Sequence, residues 1–258
     1  SRMKILVTGS NGFIGKNLIN KLQDEHEIIK NEWGMSFPSI KNLDWVIHLG
    51  AISSTTETNI SKIYRQNLEF SIKLYEECIA NNVKFQFASS ASVYGLKSDF
   101  KETSPLNPQN HYSRSKAMFE RYVELRNAPI TTQLFRYFNV YGPQEEHKGN
   151  QASPYTQFKQ QAKSSRVIKI FKGSEKYKRD FIHVEQITEY HKRFLELKES
   201  GVWNMGTGTA KSFYDVANEI ADEYGARIEY IEMPQILKGN YQEFTRADTT
   251  KLWKTLAI

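Results

Sequence analysis

The chain has 258 residues, with 35 Lys and Arg against 29 Asp and Glu, a formal charge of +6, and 39% hydrophobic residues including 13% aromatics. This apolar content excludes disorder as the main state, and no apolar run approaches the ~20 residues of a membrane-spanning helix. The positive charge is spread along the chain without a Lys/Arg block, which argues against nucleic-acid binding; the lone cysteine, Cys78, excludes an internal disulfide or a cysteine-based zinc site, and no metal site is expected.

Lys4 to Gly9 (KILVTG) is a short apolar, β-branched run closed by glycine and reads as a strand. It follows Met3 so closely that no signal peptide is expected, and a reducing, cytoplasmic setting fits. Phe13 to Gln23 carries apolar residues at helical spacing. Strands follow from His26 (HEIIKN) and over Asp44 to Ala51, then a helix over Asn59 to Ala80 and a strand over Val83 to Ser90. Tyr112 to Leu125 reads as a helix and Thr131 to Phe138 as a strand. Such alternation predicts a parallel sheet with helices on both faces, with every strand's C-terminal end on one edge. The second half is less regular: helices over Gln151 to Lys163, Glu185 to Leu197 and Ser212 to Tyr224, with strands over Val167 to Phe171, Val202 to Gly206 and Arg227 to Ile231.

Three groups of residues carry chemistry. TGSNGFIG places Gly9, Gly12 and Gly15 between a strand and a helix, where a tight turn lets backbone N–H groups approach a pyrophosphate. The acidic residue that would hold the ribose 2′-hydroxyl of NAD is missing at the end of the second strand, which closes on Lys30 and Asn31. A cation and an amide suit a 2′-phosphate, so NADP is expected, with NAD as the alternative; Lys30 reads equally as a solvated strand-end lysine. Tyr112 and Lys116 lie four residues apart, on one helix face. An ammonium beside the phenol would lower its pKa toward a usable base. Ser90, closing a strand at the ligand edge, offers a hydroxyl to the same substrate oxygen.

Together, Gly9/Gly12/Gly15, Ser90 in SSASVYG and Tyr112-x-x-x-Lys116 resemble the extended short-chain dehydrogenase/reductase family of nucleotide-sugar enzymes. The stretches HLGAISSTTE, FRYFNVYGPQEEHKG, FKGSEKYKRDF, WNMGTG and LKGNYQEFTRAD resemble its ADP-L-glycero-D-manno-heptose 6-epimerase branch. The resemblance implies a Rossmann-type doubly wound sheet over 3–140 and a smaller, partly interleaved α/β substrate lobe over 141–258. It implies epimerisation at C6″ through transient oxidation by bound NADP, with Tyr112 and Lys148 as two acid/base groups and Lys116 and Ser90 in support. It also implies Asn11, Phe13, Ile14, Leu49, Gly50, Ala51 and Asn67 at the cofactor, and Ser53, Asn139, His147, Arg179 and Tyr241 at a nucleotide-diphosphate sugar. A homo-oligomer is expected on the same ground. His147 reads equally as a substrate-orienting or an exposed histidine, and Lys148 alone as a solvated loop lysine.

The chain departs from the family between His26 and Trp45, where a further strand and helix would be expected and only one strand and a loop fit. The adenosine half of the cofactor site must then be built differently. Rival readings are a reductase or 4-epimerase on another nucleotide sugar, and a non-catalytic subunit of the same fold.

Overall fold

A computed structural model of the chain describes residues 1–52, 58–96, 99–234 and 243–258. The strands are β1 (Lys4–Thr8), β2 (Glu27–Asn31), β3 (Trp45–His48), β4 (Lys84–Ser90), β5 (Thr132–Tyr137), β6 (Asn139–Tyr141), β7 (Val167–Phe171), β8 (Lys178–Arg179), β9 (Phe181–His183), β10 (Gly201–Met205), β11 (Lys211–Ser212) and β12 (Arg227–Ile231). The helices are α1 (Phe13–Leu22), α2 (Ile60–Tyr64), α3 (Phe70–Ala80), α4 (His111–Arg126), α5 (Pro154–Ser165), α6 (Val184–Phe194), α7 (Phe213–Tyr224) and α8 (Thr250–Leu256).

Six strands form the central sheet in the order β10-β5-β4-β3-β1-β2, each neighbouring pair parallel. Continuous apolar runs suit strands covered on both faces. Ile5 and Val7 pack with Leu18, Ile19 and Leu22 of α1, while Leu6 between them packs with Leu74 and Cys78 of α3 and Phe119 of α4. Strand order reverses at β1, with β2 on one side and β3 on the other. The crevice at such a reversal is where ligands bind in open sheets.

The expected helix over Asn59 to Ala80 is interrupted. Arg65–Glu69 forms a π turn between α2 and α3. The bulge turns Asn67 fully inward, where its amide accepts from the Ile52 N–H and donates to the Ile52 carbonyl and the Ser115 hydroxyl. Turns of this kind recur at functional sites because they re-aim one side chain without breaking the helix.

The second half returns to the large sheet through its edge strand β10, and α6 packs beside α1. A separate cluster joins Phe158 and Ala162 of α5, Ile168 and Ile170 of β7, and Val216 and Ile220 of α7. Buried Asp180 ties the loops together: its carboxylate accepts from the Thr207 N–H and hydroxyl, the Gly208 N–H and the Ala247 N–H. A Cβ at Gly206 would lie 2.6 Å from Ala247 Cβ and 2.9 Å from that carboxylate, which accounts for the glycine in WNMGTG. No described helix is long and apolar enough to cross a membrane.

Candidate active site

A cleft of about 470 Å³ opens at the strand-order reversal. The chain leaves β1 through Gly9, whose φ of +66° favours glycine, and the Gly12 N–H donates to the Gly9 carbonyl. A Cβ on Gly9 would stand 2.7 Å from Gly50 on the next strand's exit, and one on Gly15 would run into the Gly9 carbonyl oxygen. Glycine at these positions therefore lets β1, β3 and α1 meet. Gly12 begins α1 without a side-chain cap, and the first turn holds no acidic residue. Its N–H groups and dipole are thus available to an anion, and the loop fits the pyrophosphate of a dinucleotide. Gly9, Gly12, Phe13, Ile14, Gly15, Asn31, Leu49, Gly50 and Ala51 all line this cleft, as expected from sequence.

Five expected cofactor residues lie outside this lining, Tyr112 among them. Lys30 is exposed and borders a separate shallow depression with Asn11 and Lys16, because side chains alternate along β2 and only Asn31 turns to the cleft. Asn11 contributes its backbone: its N–H donates to the Glu32 carboxylate at 2.5 Å. Asn67 holds the loop at Ile52 instead of lining the cleft. Lys116 sits behind the cleft wall and donates to the carbonyl of Ala88, which does line it.

The acidic residue missing from the strand end is supplied one position later. Glu32 lines the cleft, facing the glycine loop. Trp33, Gln66, Phe70 and Tyr137 also line it, and the sequence reading assigned none of them a role. Glu32 had a legible signal, one residue past an uncertain strand boundary. Gln66 had none, since the π turn alone directs it there.

Ser90, Tyr112 and Lys116 do not line the cleft but adjoin its Ala88 and Tyr137: Ser90 pairs with Tyr137 across the sheet, Tyr112 lies within electrostatic reach of Tyr137, and Lys116 donates to the Ala88 carbonyl. Asn110 caps α4 by accepting from the Ser113 N–H, which sets Tyr112 and Lys116 in the helix's first turns. Ser90 closes β4 and pulls the Tyr112 phenol's pKa down, and its hydroxyl meets that of Ser92 at 2.9 Å, which in turn accepts from the Ser113 hydroxyl at 2.8 Å. The lowered phenol pKa expected from Lys116 is not found. Burial raises Tyr112, and the group pulling it down is Ser90. Burial likewise pushes the Lys116 ammonium down to about 7, with Glu120 opposing. Desolvation leads at both groups, opposed by Ser90 at the phenol and by Glu120 at the ammonium.

His147 and Lys148 do line the cleft, in a short turn over Glu146–Gln151 that breaks at Gly149. The Lys148 ammonium stands 5.3 Å from the Phe13 ring centroid, and burial lowers its pKa against the pull of Glu145. Fully buried Glu145 fixes this turn, accepting from the Gly142 and Ser153 N–H groups and from the Ser153 and Thr156 hydroxyls. Its role was not anticipated. Asn139 is exposed and outside the cleft, with its N–H bonded to the Asp180 carbonyl. Arg179 is buried beside Phe213 and donates to the Lys178 carbonyl, away from the cleft. Ser53, with Ser54, Thr55 and Thr56, and Tyr241, with Lys238, lie outside the described residues.

A parallel sheet with a glycine-loop crevice, a lysine in its lining and a Ser/Tyr/Lys group adjoining it is the arrangement of the extended short-chain dehydrogenase/reductase type. The chain belongs to the NAD dependent epimerase/dehydratase family, whose model matches residues 30–206. It is similar to the ADP-L-glycero-D-manno-heptose-6-epimerase of Helicobacter pylori, at 25% identity and a TM-score of 0.86, over 99% of this chain and 90% of that one. The UDP-N-acetylglucosamine 4-epimerase of Methanobrevibacter ruminantium shares the fold at 23% identity and a TM-score of 0.90, over 100% of this chain and 93% of that one. The UDP-glucose 4-epimerase of Thermotoga maritima does so at 24% identity and a TM-score of 0.86, over 98% and 92%.

Proposed function

We propose that this protein epimerises a nucleotide-diphosphate sugar with a bound nicotinamide dinucleotide, and that the sugar is ADP-glycero-manno-heptose, inverted at C6″. The observation that supports the reading is a partly desolvated Lys148 in the lining of a cleft whose Ala88 and Tyr137 adjoin Lys116, Ser90 and Tyr112. The heptose rests on the sequence stretches and the Helicobacter pylori likeness.

The dinucleotide, when bound, supplies the two-electron acceptor and donor for the carbinol carbon. Tyr112 takes the proton from the sugar hydroxyl as its carbon becomes a carbonyl, with Ser90 holding the oxygen. Inversion requires the carbonyl to present its other face, which moves its oxygen away from Tyr112. Lys148 then gives the proton, as its lowered pKa suits it to do. Substrate atoms and electrons balance over the cycle with no net oxidation, and exchange with solvent releases the proton from Tyr112 and restores one to Lys148 before the next turnover.

The test is incubation with ADP-D-glycero-β-D-manno-heptose and, separately, UDP-glucose and UDP-N-acetylglucosamine, following sugar stereochemistry by NMR. Conversion of the heptose alone, with no net cofactor reduction, is the expected result; conversion of a UDP sugar instead would replace the heptose. Lys148→Met should lower turnover about 100-fold while dinucleotide affinity stays near wild type. A variant with most of its activity would refute the two-group reading and favour a reductase.

The cofactor we propose is NAD rather than the NADP expected from Lys30 and Asn31. Lys30 faces away, and the Glu32 carboxylate would repel a 2′-phosphate and accept from a 2′-hydroxyl. By calorimetry NAD+ should bind more than about tenfold tighter than NADP+, and Glu32→Gln should narrow the gap. Equal or tighter NADP+ binding would reverse the assignment.

A further inference from the structure

The chain lacks room for a further strand and helix after β2, and what replaces them has its own form. Directly after Asn31, residues Glu32 to Met35 make a tight turn, closed by the Met35 N–H on the Glu32 carbonyl at 3.2 Å. Gly34 occupies the third position with a φ of +96°, a conformation that favours glycine. Trp33 is thereby held at the outer corner. Its side chain lines the cofactor cleft yet is 53% exposed, unusual for the largest apolar side chain.

The indole is braced rather than loose. Its ring meets Phe70 at 5.6 Å between centroids and 80° between planes, and Phe70 in turn meets Phe37 at 5.8 Å. Both phenylalanines pack on the main core cluster. In a near-perpendicular contact Phe70 can cover at most one face of the indole. An adjoining pocket of about 290 Å³, lined by Glu32, Trp33, Gly34, Met35, Phe37 and Phe70, opens beside the cleft at this end.

We infer that Trp33 is the stacking platform for the adenine of the dinucleotide, standing in for the absent strand and helix. The inference rests on the dinucleotide reading proposed above. Glu32 and Trp33 are consecutive, so a ribose held at the carboxylate places its base within reach of the indole. A flat aromatic face also suits this position physically: stacking needs no hydrogen-bond partners from the missing segments, only one rigid ring.

Calorimetry on the full chain with NAD+ and with ADP-ribose, which keeps adenine and loses nicotinamide, tests this. Trp33→Ala should weaken both about ten- to a hundredfold, and Trp33→Phe should stay within about threefold of wild type. AMP should quench tryptophan emission in the wild type and fail to do so in Trp33→Phe. The other tryptophans are poor reporters there, since Trp45 and Trp203 are buried in the core and Trp253 lies on α8. Unchanged affinity of Trp33→Ala for ADP-ribose overturns the platform and leaves the cofactor reading intact. A wild-type chain that is folded and binds neither ligand overturns both.

Discussion

Tyr112→Phe is expected to lower kcat by about 10²- to 10⁴-fold while leaving dinucleotide affinity and thermal midpoint near those of the wild type. The substitution removes one oxygen from a ring whose helix, cap and neighbours remain in place. That oxygen is the one whose pKa Ser90 pulls down, and the proposed mechanism has it exchange a proton with the sugar hydroxyl. Steady-state rates on the converted sugar, with cofactor titration of the same preparation, separate chemistry from binding. Activity within tenfold of wild type would remove Tyr112 from the mechanism. Ser90→Ala sharpens the test. Burial raises the phenol and Ser90 opposes it, so deleting the hydroxyl moves the phenolate-requiring limb of the kcat/KM profile to higher pH. A shift to lower pH would contradict the electrostatics described here.

Arg136→Ala carries the second large effect, and it concerns stability. The Arg136 guanidinium and Glu120 carboxylate are buried together, with Nη2 to Oε1 at 2.6 Å and Nε to both oxygens at 3.2 Å. Ser89 donates to Glu120 at 2.6 Å, and Arg136 donates to the Tyr94 hydroxyl at 2.9 Å. The pair joins β5, α4 and the turn after Ser90, so it braces the helix that holds Tyr112. Removing the cation leaves a buried carboxylate without its partner, which destabilises by about 3–5 kcal/mol. At 2–4 °C per kcal/mol this is a thermal midpoint lower by roughly 10 °C. Arg136→Met combined with Glu120→Leu should recover part of the loss, because an apolar pair leaves no uncompensated charge. Differential scanning calorimetry reads both; a loss below about 1 kcal/mol for Arg136→Ala would mean that water or another cation compensates Glu120.

The family's chemistry was written in local order. A strand run ending in glycine, a helix starting four residues later and a Tyr and Lys one turn apart depend on neighbours close in sequence, and short-range sterics and periodicity decide them. The sheet, the glycine loop and the strand-end and helix positions of Ser90, Tyr112 and Lys116 could therefore be read before any coordinates, whereas Lys148 was singled out by the family resemblance and not by its own spacing. The direction of the phenol's pKa could not. Spacing shows that a lysine is near, but burial depends on every element packed around it, and here desolvation is the leading influence on both groups.

The same division separates Lys30 from Glu32. Sequence placed a strand end at Asn31 and left the next residue to a loop. Only the tight turn at Glu32–Met35 sends a carboxylate to the Asn11 N–H and an indole to the cleft's rim, while strand alternation carries Lys30 outward. Asn67 and Gln66 depend on a π turn with no sequence signature, and Glu145 on a pocket of donors gathered from Gly142, Ser153 and Thr156. Sequence by itself determined the fold class and singled out the candidate reactive side chains, because the glycine loop and the Tyr/Lys pair follow from patterns a few residues long. Tertiary structure decided which charges face the ligand and how strongly burial shifts them, because both depend on contacts between segments far apart along the chain.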